Sequence, residues 1–163
     1  MCIRDRPNKD PKLLSSYRPI ALTCTMCKLL EKIVNKRLMH ELERNGDISP
    51  SQYGFRKMRS CPDSLAGLEN DIMVAFAQRQ HLIAVFFDIK KAYDTTWRYH
   101  ILRQIHELGY RGHMSYFIKN FLQDRKFKVR VGGIFSSDFE QQQGVPQGSV
   151  MSCTLFALSL IHI

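Results

Sequence analysis

Two aspartates, Asp88 and Asp94, lie in the stretch FFDIKKAYDTTW, which spans Phe86 to Trp97. Asp88 is near the end of the apolar run HLIAVFFDI, and this pattern predicts a buried strand over residues 81–89. A charged carboxylate is costly in such a place unless it has a partner. At the end of a strand it can project into a cleft and bind a hard cation such as Mg²⁺, or it can cap the following turn. The local sequence alone favours the cap.

The composition indicates a globular chain with a basic surface. Of 163 residues, 44% are hydrophobic, which is enough for a packed core and argues against a disordered chain. The net charge of +9 and the pI near 9.5 suit a polyanionic partner such as nucleic acid. No apolar run reaches the length of a transmembrane helix, so we expect no membrane association.

The five cysteines suggest a reducing, intracellular compartment, because their number is odd and their spacing does not resemble a disulfide framework. Cys24 and Cys27 have the spacing of half a zinc site. No second CxxC and no HxxxH follows them, so we favour thiols that pack at the start of a helix over metal ligands.

The order of predicted elements indicates an α+β chain. Residues 7–19 predict an extended loop or an edge strand. Apolar spacing predicts helices over about 25–44, 64–79, 97–108 and 113–123, and a further helix in SVMSCTLFAL. Asp63 or Ser64 is expected to cap the second helix. The segment KFKVRVGGIFSSDFEQ predicts a β-hairpin that turns at Gly132-Gly133.

Four segments, in order, resemble the motifs of reverse transcriptases from non-LTR retrotransposons. They are SSYRPIALTCTMCKLLEKIVNKRL, SQYGFRKMRSCPDSL, FFDIKKAYD and QGVPQGSVMSCTLF, and together they cover roughly residues 7–157. Each motif alone would be weak to moderate, but the ordered set is specific. A group II intron enzyme is the nearest alternative, and AYD in place of the intron enzymes' G-F-F-D favours the retrotransposon side.

The resemblance implies a right-hand polymerase fold in which the chain provides the fingers and part of the palm. Its expected divisions are fingers over 7–80, palm with the first catalytic motif over 81–98, a fingers–palm connection with the hairpin over 99–146, and the start of a palm helix over 147–157. Residues 1–6 and 158–163 resemble translated sequencing adaptors, and we expect them to be extraneous.

The resemblance also assigns roles at FFDIKKAYDTTW. Asp88 would be the catalytic carboxylate and a ligand of two Mg²⁺ ions, with the backbone carbonyl of Ile89 assisting one of them. Tyr93 would be the steric gate that excludes the 2′-hydroxyl of a ribonucleotide, although it could also be a core aromatic. Asp94 would brace the turn.

Further residues would bind the nucleotide and the template. Arg18 would reach the triphosphate of the incoming deoxynucleotide, and Gln147 and Gly148 would line its pocket. A plain Pro-Gly turn is the other interpretation of the last two residues. Three cations would follow the template backbone or simply be solvated loop charges: Arg56, Lys57 and Arg59.

The family's second acidic motif, an aromatic residue followed by Ala-Asp-Asp, does not occur in the 163 residues. We therefore expect a fragment, truncated before that motif and inactive by itself, whose apolar strand at 82–88 lacks a sheet neighbour. The complete enzyme would extend a DNA primer on an RNA template with deoxynucleoside triphosphates, in the nucleus or cytoplasm. A nucleic-acid-binding remnant without catalysis is the alternative.

Overall fold

The computed structural model describes the backbone of residues 2–5 and, in full, residues 10, 12–13 and 16–161. Residues 1, 6, 162 and 163 of the two expected adaptor segments therefore lie outside the described residues, as do several residues of the predicted loop over 7–19. The chain divides into two compact units. The first comprises Met1–Asp47 and Lys91–Ile163, and the second comprises Ile48–Lys90.

Helices form close to most of the predicted positions. They are α1 (Thr25–Asn45), α2 (Cys61–Ala77), α3 (Ala92–Thr95), α4 (Arg98–Glu107), α5 (His113–Leu122) and α6 (Ser152–Ser159). In the part of the chain that the structure describes, no helix combines the length and apolarity needed to cross a bilayer.

Short strands form a small mixed sheet in the first unit. The strands are β1 (Cys2–Asp5), β2 (Tyr17–Ile20), β3 (Lys126–Phe127), β4 (Arg130–Val131), β5 (Ile134–Phe135) and β6 (Phe139–Glu140). The sheet order is β2-β1-β4-β5, with β1 antiparallel to β2 and parallel to β4, while β3 and β6 pair separately. Residues 7–19 were predicted to be an extended loop or an edge strand, and residues 17–19 of that range lie in β2, which is at the edge of this sheet. The expected hairpin is confirmed as β4 and β5, which turn at Gly132-Gly133.

Helix α1 begins and ends where its sequence predicts. Gly46 follows its last turn with a φ of 72°, a left-handed conformation that glycine adopts readily and that favours helix termination. Only part of its apolar stripe is buried: Leu38 and Leu42 are 0% exposed, whereas Leu30 and Ile33 are about half exposed. The helix predicted from the apolar spacing is therefore confirmed, but fewer of its apolar side chains are buried than the pattern suggests.

The core of the first unit forms where α4, α5 and α6 supply buried aliphatic side chains. The buried residues on these helices are Ile101, Ile105, Ile118, Leu122, Leu155 and Leu158. Helix α6 is also buried at Ser152 and Thr154. The Ser152 hydroxyl donates to the carbonyl of Pro146 at 2.8 Å, which satisfies its polar group in this apolar setting.

The carboxylate of Glu31 joins α1 to the start of α6. Glu31 is 3% exposed, and its Oε2 accepts hydrogen bonds from the Ser149 hydroxyl at 2.5 Å and the Val150 amide at 2.8 Å. Amides at the beginning of a helix lack intrahelical acceptors, and the helix dipole favours a negative charge there. Glu31 thus supplies the acceptor that this buried helix start needs.

The second unit contains α2, which begins earlier than predicted. Ser60 is the N-cap, and the carboxylate of Asp63 accepts from the Ser60 amide at 2.7 Å. Asp63 is therefore the N3 residue of a capping box rather than the N-cap, and Ser64 has no capping role. The predicted start of α2 was too late because Pro62 was assigned to the preceding loop, although proline suits the first turn of a helix.

The predicted strand over residues 81–89 is wrong. These residues have no regular secondary structure and are exposed, with Ile83 at 89% and Phe87 at 90%. A strand forms only when neighbouring backbone accepts its hydrogen bonds, and none of the described strands belongs to the second unit. The expected strand at 82–88 without a sheet neighbour is therefore also not observed, because no strand forms over these residues.

Replacing Glu31 should destabilise the chain strongly. We expect Glu31→Ala to lower the free energy of unfolding by about 3 kcal/mol, because the Ser149 hydroxyl and Val150 amide lose a charged acceptor inside the core. Glu41→Ala on the same helix removes only an i,i+3 surface pair with Arg44 and should cost less than about 0.5 kcal/mol. Urea unfolding of both variants measures the difference; equal effects would contradict the role of Glu31.

Candidate functional site

The turn QGVPQGS is held against two other segments of the first unit by backbone hydrogen bonds. The amides of Gly144 and Val145 donate to the carbonyls of Thr96 and Tyr93, at 3.0 and 2.7 Å. The Ala21 amide, just after β2, donates to the carbonyl of Gln147 at 2.6 Å. The structure therefore brings together three segments that are far apart in sequence.

Two glycines are required by this close approach. Gly144 has a φ of +76°, and a Cβ there would lie 2.5 Å from the carbonyl oxygen of Tyr93 and 2.6 Å from that of Asp94. Gly148 has a φ of +119°, and a Cβ would lie 2.7 Å from the carbonyl oxygen of Ala21. Any side chain would therefore meet both steric overlap and an unfavourable backbone conformation.

Arg98, the first residue of α4, donates two hydrogen bonds to the same turn. Its Nε donates to the Gly144 carbonyl at 2.7 Å, and its guanidinium NH2 group donates to the Gln143 carbonyl at 3.2 Å. Desolvation by burial lowers the pKa of Arg98, and the nearby charge of Arg125 lowers it further. Sequence reasoning missed Arg98 because a single arginine at a helix start carries no distinctive signal.

A cavity of about 600 Å³ adjoins the turn within the first unit. Its lining combines four cations, one carboxylate, glutamine side chains and aromatic rings. These residues include Asp94, Arg125, Lys126, Phe127, Lys128, Arg130, Phe135, Gln141, Gln143 and Gln147, with Pro19, Ala21, Leu22 and Thr23 contributing from the β2 side. An excess of positive charge beside flat rings and amides is suited to a phosphate-bearing ligand with a planar group.

Arg125 is the least exposed of the four cations that line the cavity, since the other three side chains are exposed. Its pKa is lowered mainly by desolvation, while Glu31 acts in the opposite direction. Its guanidinium donates to the Phe121 carbonyl at 3.0 Å and lies 4.8 Å from the centre of the Phe121 ring. These contacts hold a partly desolvated positive charge at the cavity wall, where an anion would meet less competition from water.

The role of the four cations was not predicted, although three of them carry a signal in the sequence. In RKFKVR, Lys126, Lys128 and Arg130 alternate with other residues, and a period of two places side chains on one side of an extended strand.

Tyr93 is fixed by α6 but does not line the cavity. Its hydroxyl lies 3.4 Å from the sulfur of Cys153, and its ring centre is 5.4 Å from that of Phe156. Burial and the contact with Cys153 raise the pKa of the Tyr93 hydroxyl. The ring is therefore held in one place, as either a gate or a core aromatic requires.

Of the other predicted nucleotide ligands, two lie at or beside the cavity and one does not. Gln147 lines the cavity, and Gly148 lies beside it against Ala21. Arg18 is exposed on β2 and is absent from the lining, whereas its neighbour Pro19 is present. Successive residues of a strand face opposite sides, which accounts for this difference.

Asp88 and Ile89 lie in the second unit, in the exposed segment that follows α2. A carboxylate and a backbone carbonyl are oxygen donors of the kind that Mg²⁺ prefers. However, no group of three or more His, Cys, Asp or Glu residues that could hold a metal occurs among the described residues. The donors present are thus of the right chemistry but too few for a metal centre.

The three cations predicted to contact the template lie in the loop before α2. Arg56 donates to the carbonyls of Ser49 and Gln52 at 2.8 and 3.2 Å. Arg59 donates to the Pro50 carbonyl at 2.9 Å and lies 5.3 Å from the centre of the Tyr53 ring. Both arginines thus brace their own loop, while Lys57 is exposed.

A family model described as reverse transcriptase (RNA-dependent DNA polymerase) matches residues 6–163. The chain is 32% identical over 153 residues to the RNA-directed DNA polymerase from mobile element jockey of Drosophila funebris, and 31% identical over 153 residues to the probable RNA-directed DNA polymerase from transposon BS of Drosophila melanogaster. Each match covers 94% of this chain and 17% of the relative. A retrovirus-related Pol polyprotein from the R2 element of Popillia japonica is 30% identical over 143 residues, which cover 87% of this chain and 20% of that protein.

The tight turn gives a direct test of the site's geometry. Gly144→Ala should lower the free energy of unfolding by about 2 kcal/mol or more, because the added Cβ overlaps two carbonyl oxygens at a positive φ. Gly133→Ala is the matched control, since its Cβ would meet nothing within 4 Å. Thermal unfolding of both variants gives the comparison, and a harmless Gly144→Ala would show that the turn is not packed as described.

Proposed function

Because the chain belongs to the reverse transcriptase (RNA-dependent DNA polymerase) family, and within it to the non-LTR, jockey-like group, we propose that it forms part of the nucleotide-adding machinery of a retrotransposon polymerase. The chain spans about 17% of the length of such relatives, so template, primer and deoxynucleoside triphosphates are proposed for the larger protein.

The proposed nucleotide site is the basic cavity of the first unit. Its cations, Arg125, Lys126 and Arg130 among them, would bind the triphosphate, and the amide of Gln147 would contact the base or sugar. The single observation that carries this proposal is the joining of this cation group to the QGVPQGS turn at one cavity. Arg18 remains a proposed triphosphate ligand on the resemblance alone.

Tyr93 is proposed as the gate against ribonucleotides. The support is that its ring is fixed by Phe156 and its hydroxyl by Cys153, while its backbone carbonyl accepts from Val145 at 2.7 Å. A side chain held in this way can discriminate by shape, because it does not move aside when a larger sugar enters.

Asp88, with the carbonyl of Ile89, is proposed as one part of a magnesium site in the complete polymerase. Such ions stabilise the charge of the reacting phosphate oxygens. Since the sequence lacks an aromatic-Ala-Asp-Asp motif, the remaining carboxylates would come from outside these 163 residues. Under this proposal the chain alone does not polymerise.

The RNA template is proposed to contact the fingers, over 7–80, where Arg56, Lys57 and Arg59 lie. Because both arginines already donate to backbone carbonyls of their loop, their contribution would be to shape the loop and supply long-range attraction. The palm would comprise 81–98 and the helix that begins after Gln147, joined by the connection over 99–146.

A nucleic-acid-binding remnant without catalysis is a second candidate. It is favoured by one observation, the net charge of +9, which suits a polyanionic partner whether or not catalysis takes place. A group II intron enzyme is not supported by the relatives named above, which come from a transposon, a mobile element and a retrotransposable element.

Primer extension separates catalysis from simple binding. In a protein that carries these residues together with the downstream segment, Asp88→Asn should lower the rate of DNA synthesis on an RNA template by more than about a hundredfold, because one metal carboxylate is lost. Asp71→Asn, an exposed carboxylate on α2, is the matched control and should retain normal synthesis.

Full activity of Asp88→Asn would contradict the metal-ligand assignment. If neither the parent protein nor the control variant synthesises DNA although both bind RNA, the remnant is the correct description.

A further inference from the structure

Two cysteines lie side by side at the start of α1. The sulfur atoms of Cys24 and Cys27 are 3.0 Å apart, and both residues are exposed. Cys24 is the N-cap, and its sulfur accepts a hydrogen bond from the Cys27 amide at 3.3 Å. The expected helix start is confirmed, but the expected packing of these thiols is wrong, because both side chains are open to solvent.

In this environment the pKa values of the two thiols shift in opposite directions. Hydrogen bonds from the side chain and backbone of Cys27 lower the pKa of Cys24, whereas the pKa of Cys27 is raised by its contact with Cys24. The thiolate is the reactive form of cysteine, and thiols near helix N-termini and in CxxC motifs favour that form. Cys24 is therefore the better nucleophile, and Cys27 is placed to react with it next.

Zinc binding would require more ligands than this pair provides. A structural zinc ion takes four ligands, so two cysteines would need two partners nearby. The described residues contain no cluster of three or more potential ligands. Chemistry that needs only two neighbouring sulfurs fits the observed arrangement better.

We propose that Cys24 and Cys27 form a redox-active pair that a low-molecular-weight disulfide, such as glutathione disulfide, converts reversibly into an intramolecular disulfide. Neither the polymerase family nor the proposed nucleotide site requires this modification. The pair directly follows Leu22 and Thr23, which line the cavity, so the oxidised pair would close a covalent ring next to the cavity wall.

The reaction consists of two thiol–disulfide exchanges, in which atoms and electrons balance. The Cys24 thiolate attacks one sulfur of glutathione disulfide, which breaks the disulfide, forms a mixed disulfide and releases one glutathione thiolate. Cys27 then loses its proton to solvent, and its sulfur attacks the sulfur of Cys24, which releases the second glutathione. Two cysteine thiols are oxidised, and one glutathione disulfide is reduced to two molecules of glutathione.

Mass spectrometry of the 163-residue chain tests the proposal. Trypsin releases both cysteines in one peptide, residues 13–28, because the bond between Arg18 and Pro19 resists cleavage. After treatment with glutathione disulfide, this peptide should be lighter by two hydrogen atoms. That form should exceed the glutathione adduct by at least about tenfold, since the second exchange is intramolecular. Dithiothreitol should restore the original mass.

Cys61 provides the matched control within the same chain. It is exposed and is also the first residue of a helix, so it should stop at a glutathione adduct. Cys24→Ser and Cys27→Ser should each leave one glutathione on the 13–28 peptide. With limiting iodoacetamide, the parent chain should be alkylated at Cys24 before Cys27.

Three results would overturn the proposal. They are independent glutathione adducts at both cysteines, a peptide that stays reduced while Cys61 reacts, and thiols that react only after a metal chelator is added. The last result would identify a metal site in place of the disulfide.

Discussion

The buried carboxylate of Glu31 is the interaction on which the arrangement of the first unit depends. It connects the middle of α1 to residues just before α6, which lie more than a hundred positions later. A buried charge is tolerated only with several donors, and here a hydroxyl and a backbone amide provide them. Because α6 also holds the ring of Tyr93, the Glu31 contact helps to position both the QGVPQGS turn and the candidate gate.

The turn itself is a second constraint of the same kind. Its glycines allow the backbone to approach the carbonyls of Tyr93, Asp94 and Ala21 more closely than any side chain would permit. Arg98 then satisfies two of the turn's own carbonyls from α4. The turn therefore forms a part of the cavity wall that hydrogen bonds hold in place, and the cations among residues 125–130 add positive charge to that wall.

Much of the fold could be predicted from local sequence. Helix α1, the Gly132-Gly133 hairpin and the helices near 98–107 and 113–122 depend on periodicity and on turn residues, which act over short distances. The strand at 81–89 could not be predicted correctly, because an apolar run becomes a strand only when other backbone pairs with it. Three of the four cavity cations, Lys126, Lys128 and Arg130, form an alternating pattern in the sequence, but the cavity that they line also requires residues 19 and 21–23, about a hundred positions earlier. Roles for Asp88 and Arg18 rest on the motif resemblance.

The central claim is that the cavity of the first unit binds a nucleoside triphosphate through specific cations. Calorimetric titration of the 163-residue chain with a deoxynucleoside triphosphate tests it most directly. Lys126→Ala/Arg130→Ala should raise the dissociation constant by about tenfold or more, which corresponds to about 1.4 kcal/mol. Lys32→Ala/Lys36→Ala, which removes the same charge from exposed positions on α1, should change it by less than about twofold. Equal weakening by the two double variants would show that only net charge matters and would contradict the claim.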